Sequence, residues 1–188
     1  MILAIDTSLG TAVAVLDGDE LVFEERSDDR RGHAERLGPM LERALEGRRA
    51  QIELVVAGMG PGAFTGLRVG IAAARATAMG LGVPCLGVAS HLGATTGDAQ
   101  VTTDVRRRER AWSVIASGAV VEGPHLAPAD AVPAPAGEHA GLPRVDAEAI
   151  DAGLLARAAA RGAGEVTEAL YLREADAVPS AGPKRVSQ

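Results

Sequence analysis

The hydrophobic residues in the first half of the chain are spaced in two different ways. Short apolar runs of strand length are separated by polar or Gly-containing turns, as between residues 16 and 21. From residue 33 to residue 46, apolar residues recur three and four positions apart, which is the spacing of an amphipathic helix. A second, longer apolar helix is expected to follow the Gly-rich loop 60–66 and to end near Leu81. The predicted strands of this half are 1–7, 11–16, 21–25, 54–59 and 84–88.

The order of these elements predicts an α/β fold. Three strands joined by hairpins, followed by helix, strand, helix and strand, indicate a mixed sheet with helices packed on its faces. A purely parallel dinucleotide-binding sheet is excluded, because such a sheet would not begin with two tight hairpins. Ser90 is the expected N-cap of a short helix after the last strand. Residues 1–97 are therefore predicted to form the first domain.

The second half of the chain carries weaker patterns and is predicted to form a smaller second domain, residues 98–178. Two strands are expected within 101–117, around a charged turn, and a helix is expected at 147–161. Residues 124–143 are rich in Pro, Ala and Gly and are predicted to be irregular surface chain. The last predicted features are a closing strand and a loose tail, at 169–172 and 179–188.

Composition and charge narrow the classes of function. The net charge of −6 excludes a chain that holds RNA tightly by itself, because such a protein needs a basic surface to neutralise phosphate. The few aromatic residues give bases no platform on which to stack, so any action on RNA is expected to go through a partner. The apolar runs are too short to span a membrane, and the first residues lack the basic start of a secretory signal. Cys85 is the only cysteine, which excludes a disulfide framework and favours the cytoplasm.

The Gly-rich loop is the strongest local signal for a ligand. A glycine loop between a strand and a helix leaves backbone N–H groups free at the positive helix end, which suits an anion or a nucleotide phosphate. The loop is not a P-loop, because Gly66 is followed by Leu67 and Arg68 rather than by Lys and a hydroxyl residue. A tight turn and close helix packing explain the same glycines equally well. The candidate anion site consists of Asp6, Gly60, Gly62, Thr65 and Gly66.

No catalytic set is visible in the sequence. Asp6, at the end of the first strand, could position a metal-bound phosphate, and an Asp that caps the following hairpin is the alternative. No two of the four histidines have the spacing that places two imidazoles on one metal from a single element. Ser90, although followed by His91, lacks the G-x-S-x-G surroundings of a hydrolase nucleophile. The sequence therefore predicts neither enzymatic activity nor a resident metal or cofactor.

The helix after the Gly-rich loop is apolar or small around most of its circumference. Up to Leu81 its only charged residues are Arg68 and Arg75. Such a helix must be covered on more than one side, and small residues at four-residue steps form a low ridge that a neighbouring helix can approach closely. Together with the helix beginning at residue 33, it is predicted to contact a partner. The predicted contact residues are His33, Leu37, Met40, Leu41, Gly70, Ala74, Arg75 and Ala78.

Three segments of the first half resemble the successive N-terminal motifs of the TsaB family. The most diagnostic is GPG-x-FTGLR-x-G, residues 60–70. In the second half the resemblance is carried by two shorter patches, TTDVRRRERAW and EALYLREADAV. The three N-terminal segments are AIDTS, RRGHAERLGPMLERAL and GMGPGAFTGLRVGIAAARATAMGLGVPCLGVAS.

The resemblance implies a fold of the actin, sugar kinase and Hsp70 class (ASKHA), with a five-stranded mixed sheet and a shortened second domain. It further implies a non-catalytic subunit that pairs with the TsaD protein, enables binding of the ATPase TsaE and is required for threonylcarbamoyladenosine on tRNA. ATP and metal then belong to the partners, tRNA is met only indirectly, and copies of the chain pair when TsaD is absent. The alternatives are a homodimeric regulatory or binding protein unrelated to tRNA, and a kinase or endopeptidase of the same superfamily.

Overall fold

The computed structural model describes residues 1–29, 32–105 and 108–172. The predicted tail, the last six residues of the predicted second domain and part of the charged turn lie outside these ranges. The helices of the described chain are α1 (His33–Leu45), α2 (Phe64–Leu81) and α3 (Ala152–Ala160). The strands are β1 (Ile2–Asp6), β2 (Thr11–Asp17), β3 (Glu20–Ser27), β4 (Leu54–Gly58), β5 (Cys85–Val88), β6 (Ala99–Val105), β7 (Glu109–Ala116), β8 (Ala119–Pro128) and β9 (Arg144–Ala147).

The first five strands form one mixed sheet in the order β3-β2-β1-β4-β5. Strand β1 lies antiparallel to β2, with Ile5 opposite Val13, and parallel to β4, with Ile5 opposite Ala57. Strands β1 and β4 are buried along almost their whole length, which explains why their sequences are continuous apolar runs rather than alternating ones. The predicted α/β fold with a five-stranded mixed sheet is confirmed.

Helices cover both faces of this sheet. Helices α1 and α2 pack on one face, around a core that includes Leu3, Ile5 and Leu67. Helix α3 packs on the other face, where Leu155 is fully buried against strands β1 and β2. Thus a helix from the C-terminal half of the chain completes the core of the N-terminal sheet. In the described part of the chain, no helix is long and apolar enough to cross a membrane.

The remaining strands form a second sheet in the order β8-β7-β6-β9. The prediction of irregular chain from residue 124 is wrong for its first five residues, because β8 continues to Pro128. Prolines are tolerated there because β8 is an edge strand, where a missing N–H breaks no ladder bond. The two strands predicted within 101–117 are confirmed as β6 and β7.

Three local predictions in the second half and at Ser90 are wrong. Residues 144–147 form β9, and α3 starts only after Asp151, whose side chain caps the helix by accepting from the Leu154 N–H at 2.9 Å. Residues 169–172 form no strand. Ser90 is the first residue inside the 3₁₀ turn Ser90–Gly93, so the N-cap is Ala89, and the Ser90 hydroxyl bonds Asp6 and the Gly60 N–H instead.

Residues 166–171, called here the C-terminal strap, run beside α2 without joining a sheet. The strap is tied to the ends of β5 and β4 by two separate backbone hydrogen bonds, from Val166 N–H to the Gly87 carbonyl at 2.9 Å and from Leu170 N–H to the Met59 carbonyl at 2.8 Å. Val166 also packs against the core beneath α1 and α2. These two isolated hydrogen bonds hold the strap in place, but they do not form the continuous ladder of hydrogen bonds that defines a β-strand.

Candidate functional site

The Asp6 carboxylate lies at the C-terminal end of β1 and is almost completely buried, with 1% of its surface exposed. It accepts hydrogen bonds from the Ser8 N–H at 2.8 Å, from the Ser8 hydroxyl at 2.6 Å and from the Ser90 hydroxyl. Ser90 Oγ in turn accepts a hydrogen bond from the Gly60 N–H at 2.9 Å. Asp6 therefore connects the end of β1, the Gly-rich loop and the 3₁₀ turn after β5.

The glycines of the loop and of α2 bring the helix backbone close to residues 6–8. A Cβ atom on Gly62 would lie 2.8 Å from Ser8 Cα, and one on Gly66 would lie 2.8 Å from the Thr7 carbonyl oxygen. Thr7 Oγ1 donates to the Gly66 carbonyl at 2.7 Å and accepts from the Gly70 N–H at 3.1 Å. Of the two explanations for these glycines, an anion site or close helix packing, the observed geometry shows the close packing. Anion binding at this loop, with Thr65 exposed on its helical side, stays a prediction.

Burial raises the pKa of Asp6, and the hydrogen bonds from Ser8 and Ser90 oppose that rise only in part. A carboxyl group with a raised folded-state pKa stabilises the fold below its unfolded pKa, near 3.8, and this contribution is lost as the pH rises through the folded-state value. In a pH titration, the folded protein thus holds the Asp6 proton to higher pH than the unfolded chain does.

Replacing Asp6 by Asn should remove this dependence on pH. We expect urea unfolding to show that the stability of the parent, relative to Asp6→Asn, increases as the pH is lowered from 7 toward 4. If the parent instead became more stable than Asp6→Asn as the pH rose, the hydrogen bonds would lower the pKa of Asp6 by more than burial raises it.

His33 begins α1 and links it to both neighbouring elements. Its Nδ1 atom lies 2.9 Å from Thr11 Oγ1 on β2, and a Cβ atom on Gly66 of α2 would lie 3.1 Å from its Nε2 atom. The half-buried ring thus holds the start of α1 against the sheet and α2. This contact gives His33 a structural function within the chain.

The structure buries five of the eight predicted partner contacts inside the chain: Leu37, Met40, Gly70, Ala74 and Ala78. The contact with a partner itself stays a prediction. The small ridge of α2 faces β1 of its own sheet, where Gly70 meets Thr7. Of the others, His33 and Leu41 are half-buried and Arg75 is exposed.

The opposite side of α2 is exposed and apolar. Met79 has 82% of its surface exposed, Ala72 and Ala76 are exposed, and Val69 is half-buried. These four residues, spaced by three, four and three positions, lie along one line of the helix and are called here the outer face of α2. Sequence reasoning missed this face because it assigned the glycine side of the helix to a partner.

His91 is a buried polar side chain whose structural role was not predicted from the sequence. It is fully buried; its Nδ1 atom lies 2.9 Å from Ser113 Oγ, and its Nε2 atom lies 3.0 Å from Thr103 Oγ1. Burial lowers the pKa of His91 to about 3. The neutral imidazole therefore joins the 3₁₀ turn after β5 to strands β6 and β7 of the second sheet.

Across residues 1–29, 32–105 and 108–172, no group of three or more His, Cys, Asp or Glu side chains is placed to hold a metal ion. The absence of a resident metal in the whole protein stays a prediction.

Known proteins resemble this chain in sequence and in fold. A family model described as "TsaD: tRNA N6-adenosine threonylcarbamoyltransferase" matches residues 27–117. An uncharacterized protein of Mycobacterium tuberculosis (strain H37Rv) is 45% identical over 152 residues, which are 76% of this chain and 72% of that protein. The Escherichia coli protein named "tRNA threonylcarbamoyladenosine biosynthesis protein TsaB" is 35% identical over 92 residues, 47% of this chain and 40% of that protein.

A crystal structure from Pseudomonas aeruginosa, described as an uncharacterized protein with similarity to peptidase YEAZ, superposes with a TM-score of 0.74. The match covers 92% of this chain and 99% of that chain at 24% identity, so it establishes the common fold. The family match, residues 27–117, includes three of the segments that carry the TsaB resemblance: 30–45, 58–90 and 102–112. The segments 4–8 and 168–178 lie outside it. The chain belongs to the TsaB family.

Proposed function

We propose that the protein takes part in the synthesis of N6-threonylcarbamoyladenosine on tRNA as a non-catalytic subunit that pairs with TsaD. The observation that carries the proposal is its 35% identity to a protein named for this biosynthesis, the Escherichia coli TsaB. The match to the family model of TsaD, the transferase, supports a common origin of this chain and its proposed partner. Two related subunits can pair through equivalent surfaces in a pseudosymmetric way.

The geometry around Asp6 supports a subunit that leaves the chemistry to its partner. A strand-end carboxylate that positioned a metal-bound phosphate would have to reach a ligand, whereas Asp6 is enclosed by Ser8, Ser90 and Gly58. We therefore assign ATP and metal to the partner subunits, and propose that TsaE binds once TsaD and this chain have paired. With a net charge of −6, the chain meets tRNA only through that complex, in the cytoplasm.

The outer face of α2 is the surface that we assign to TsaD. A contiguous apolar helix face in water, with Met79 almost fully exposed, is typical of a surface that another protein covers. Helix α1 packs beside α2, so its half-buried Leu41 can extend the contact toward a bundle of helices from two subunits. A pairing of this kind buries about 800 Å² on each partner. When TsaD is absent, the same face pairs two copies of this chain.

A charge on the outer face should prevent the pairing and leave the fold intact. Ala76 is exposed, so Ala76→Glu should change the free energy of unfolding by no more than about 0.5 kcal/mol. Buried without a partner in the complex, the new carboxylate should weaken TsaD binding by about 100-fold, or roughly 3 kcal/mol. Calorimetric titration of purified TsaD with the parent and the variant measures this loss.

The matched control is Ala50→Glu, the same substitution at an exposed position of the 3₁₀ turn Arg49–Gln51. It should bind TsaD as the parent does. Equal binding by Ala76→Glu and Ala50→Glu would exclude the outer face of α2 as the contact surface.

A further inference from the structure

A groove of about 560 Å³ runs between α2 and the C-terminal strap. Two exposed arginines of α2, Arg68 and Arg75, line it together with the apolar side chains of Ile71 and Ala72. The strap contributes one carboxylate to the lining, that of Glu168. Cationic groups at both ends of a partly apolar groove fit an anionic ligand that also brings apolar surface.

Arg68 is held in place by two aromatic side chains. Its guanidinium carbon lies 3.9 Å from the centre of the Phe64 ring, and its Nε–H donates to the Tyr171 hydroxyl at 3.3 Å. The two rings contact each other with centroids 4.8 Å apart. A guanidinium fixed by stacking loses little further rotamer freedom when it binds a ligand, and a carboxylate can take two of its remaining N–H groups in parallel.

Arg75 stands seven residues further along the same helix. Its Nη2–H donates to the Thr167 carbonyl of the strap at 3.3 Å, which orients the side chain over the groove. Seven residues are nearly two helical turns, so the two arginines are about 10 Å apart along one side of α2. Tyr171, with 38% of its surface exposed, lies at the Arg68 end of the groove.

We propose that this groove binds an extended acidic segment of a partner protein in the polyproline II conformation, with carboxylates at positions i and i+3. A polyproline II helix has three residues per turn and rises about 9 Å in three residues, so both carboxylates point to the same side at the spacing of the two arginines. The residues between them pack on Tyr171 and the apolar lining, as aromatic grooves accept such segments in other recognition modules. The groove borders the outer face of α2, with which it shares Ala72, but this contact does not depend on the proposed function.

A protein segment fits the groove better than RNA does. RNA carries one negative charge on every nucleotide, and the two arginines of the groove neutralise few of these phosphates. A peptide with two carboxylates needs only the two cations present.

The test uses fluorescein-labelled peptides and the purified full-length chain at low ionic strength. Fluorescence anisotropy should show that a peptide with the core Glu-Pro-Pro-Glu binds at least about tenfold more tightly than its Gln-Pro-Pro-Gln counterpart. A Glu-Pro-Glu core, whose carboxylates have the wrong spacing, should bind at least about threefold more weakly than Glu-Pro-Pro-Glu. Arg75→Gln should weaken binding of the acidic peptide at least about fivefold, whereas Arg49→Gln, which removes the same charge from a remote exposed position, should leave it unchanged.

Equal binding of the acidic and the amide peptides, or an unchanged affinity in Arg75→Gln, would overturn the proposal. A ten-nucleotide single-stranded RNA serves as the competing ligand. If that RNA binds through Arg68 and Arg75 while the acidic peptides do not, the groove is a nucleic-acid site and the assignment to a protein segment is wrong.

Discussion

Replacing Gly70 by Ala should destabilise the protein more than any other single methyl group added to α2. The new Cβ atom would overlap Thr7 Oγ1, which already bonds the Gly70 N–H and the Gly66 carbonyl. Neither partner can move away, because Thr7 is buried directly after the end of β1 and the helix backbone is fixed by its own hydrogen bonds. Overpacking together with loss of a buried hydrogen bond should lower the free energy of unfolding by about 3 kcal/mol, which is roughly 10 °C in melting temperature.

Gly80→Ala is the matched control on the same helix. No atom lies within 4 Å of the position that its Cβ would take, so the substitution adds a better helix former at no steric cost. It should raise the free energy of unfolding by about 0.5 kcal/mol. Thermal unfolding measures the melting temperatures of both variants. If both substitutions changed the melting temperature only slightly and in the same direction, α2 would not pack on Thr7 as described.

The second large effect concerns pH and His91. Its folded-state pKa of about 3 lies below the ordinary histidine pKa of 6.5, so the unfolded chain binds the proton more tightly. The stability that the neutral ring contributes is therefore complete above pH 6.5 and is lost as the pH falls toward the folded-state value. Between pH 6 and pH 4.5 this linkage should cost the parent about 2 kcal/mol.

The variant His91→Gln separates this linkage from other titrations. It should be less stable than the parent at pH 7 by about 2 kcal/mol, because the amide replaces the contacts to Ser113 and Thr103 imperfectly. Its stability should nevertheless fall by about 2 kcal/mol less than that of the parent between pH 6 and pH 4.5. Parallel curves for the two proteins, measured by urea unfolding at each pH, would show that His91 is not buried in the neutral form.

The elements of the first half could be predicted because their signals are local. Strands β1 and β4 are apolar runs of strand length, and the period of α1 identifies both the helix and its buried residues, such as Leu37. Residues 124–128 and 169–172 were assigned wrongly because their state depends on a neighbour. Strand β8 exists because β7 pairs with it, and the strap stays irregular because it meets only isolated acceptors on Met59 and Gly87.

The orientation of α2 could not be predicted from its sequence. A helix that is apolar or small on every side has no polar stripe that shows which side faces water. The deciding contact is between Gly70 and Thr7, 63 residues earlier in the chain, and the sequence gives no sign of it. The same holds for His91, whose partners Ser113 and Thr103 reach it only once the second sheet has folded.

The most direct test of the central claim is the formation of threonylcarbamoyladenosine in a reconstituted reaction. Purified TsaD, TsaE, unmodified tRNA, ATP and a threonylcarbamoyl donor are incubated with and without this chain, and the modified nucleoside is measured by mass spectrometry. We expect product only when this chain is present and none from this chain without TsaD. Ala50→Glu should give product at the parental level, and Ala76→Glu should give a strongly reduced level. Product formed equally well in the absence of this chain, or by this chain without TsaD, would contradict the proposed function.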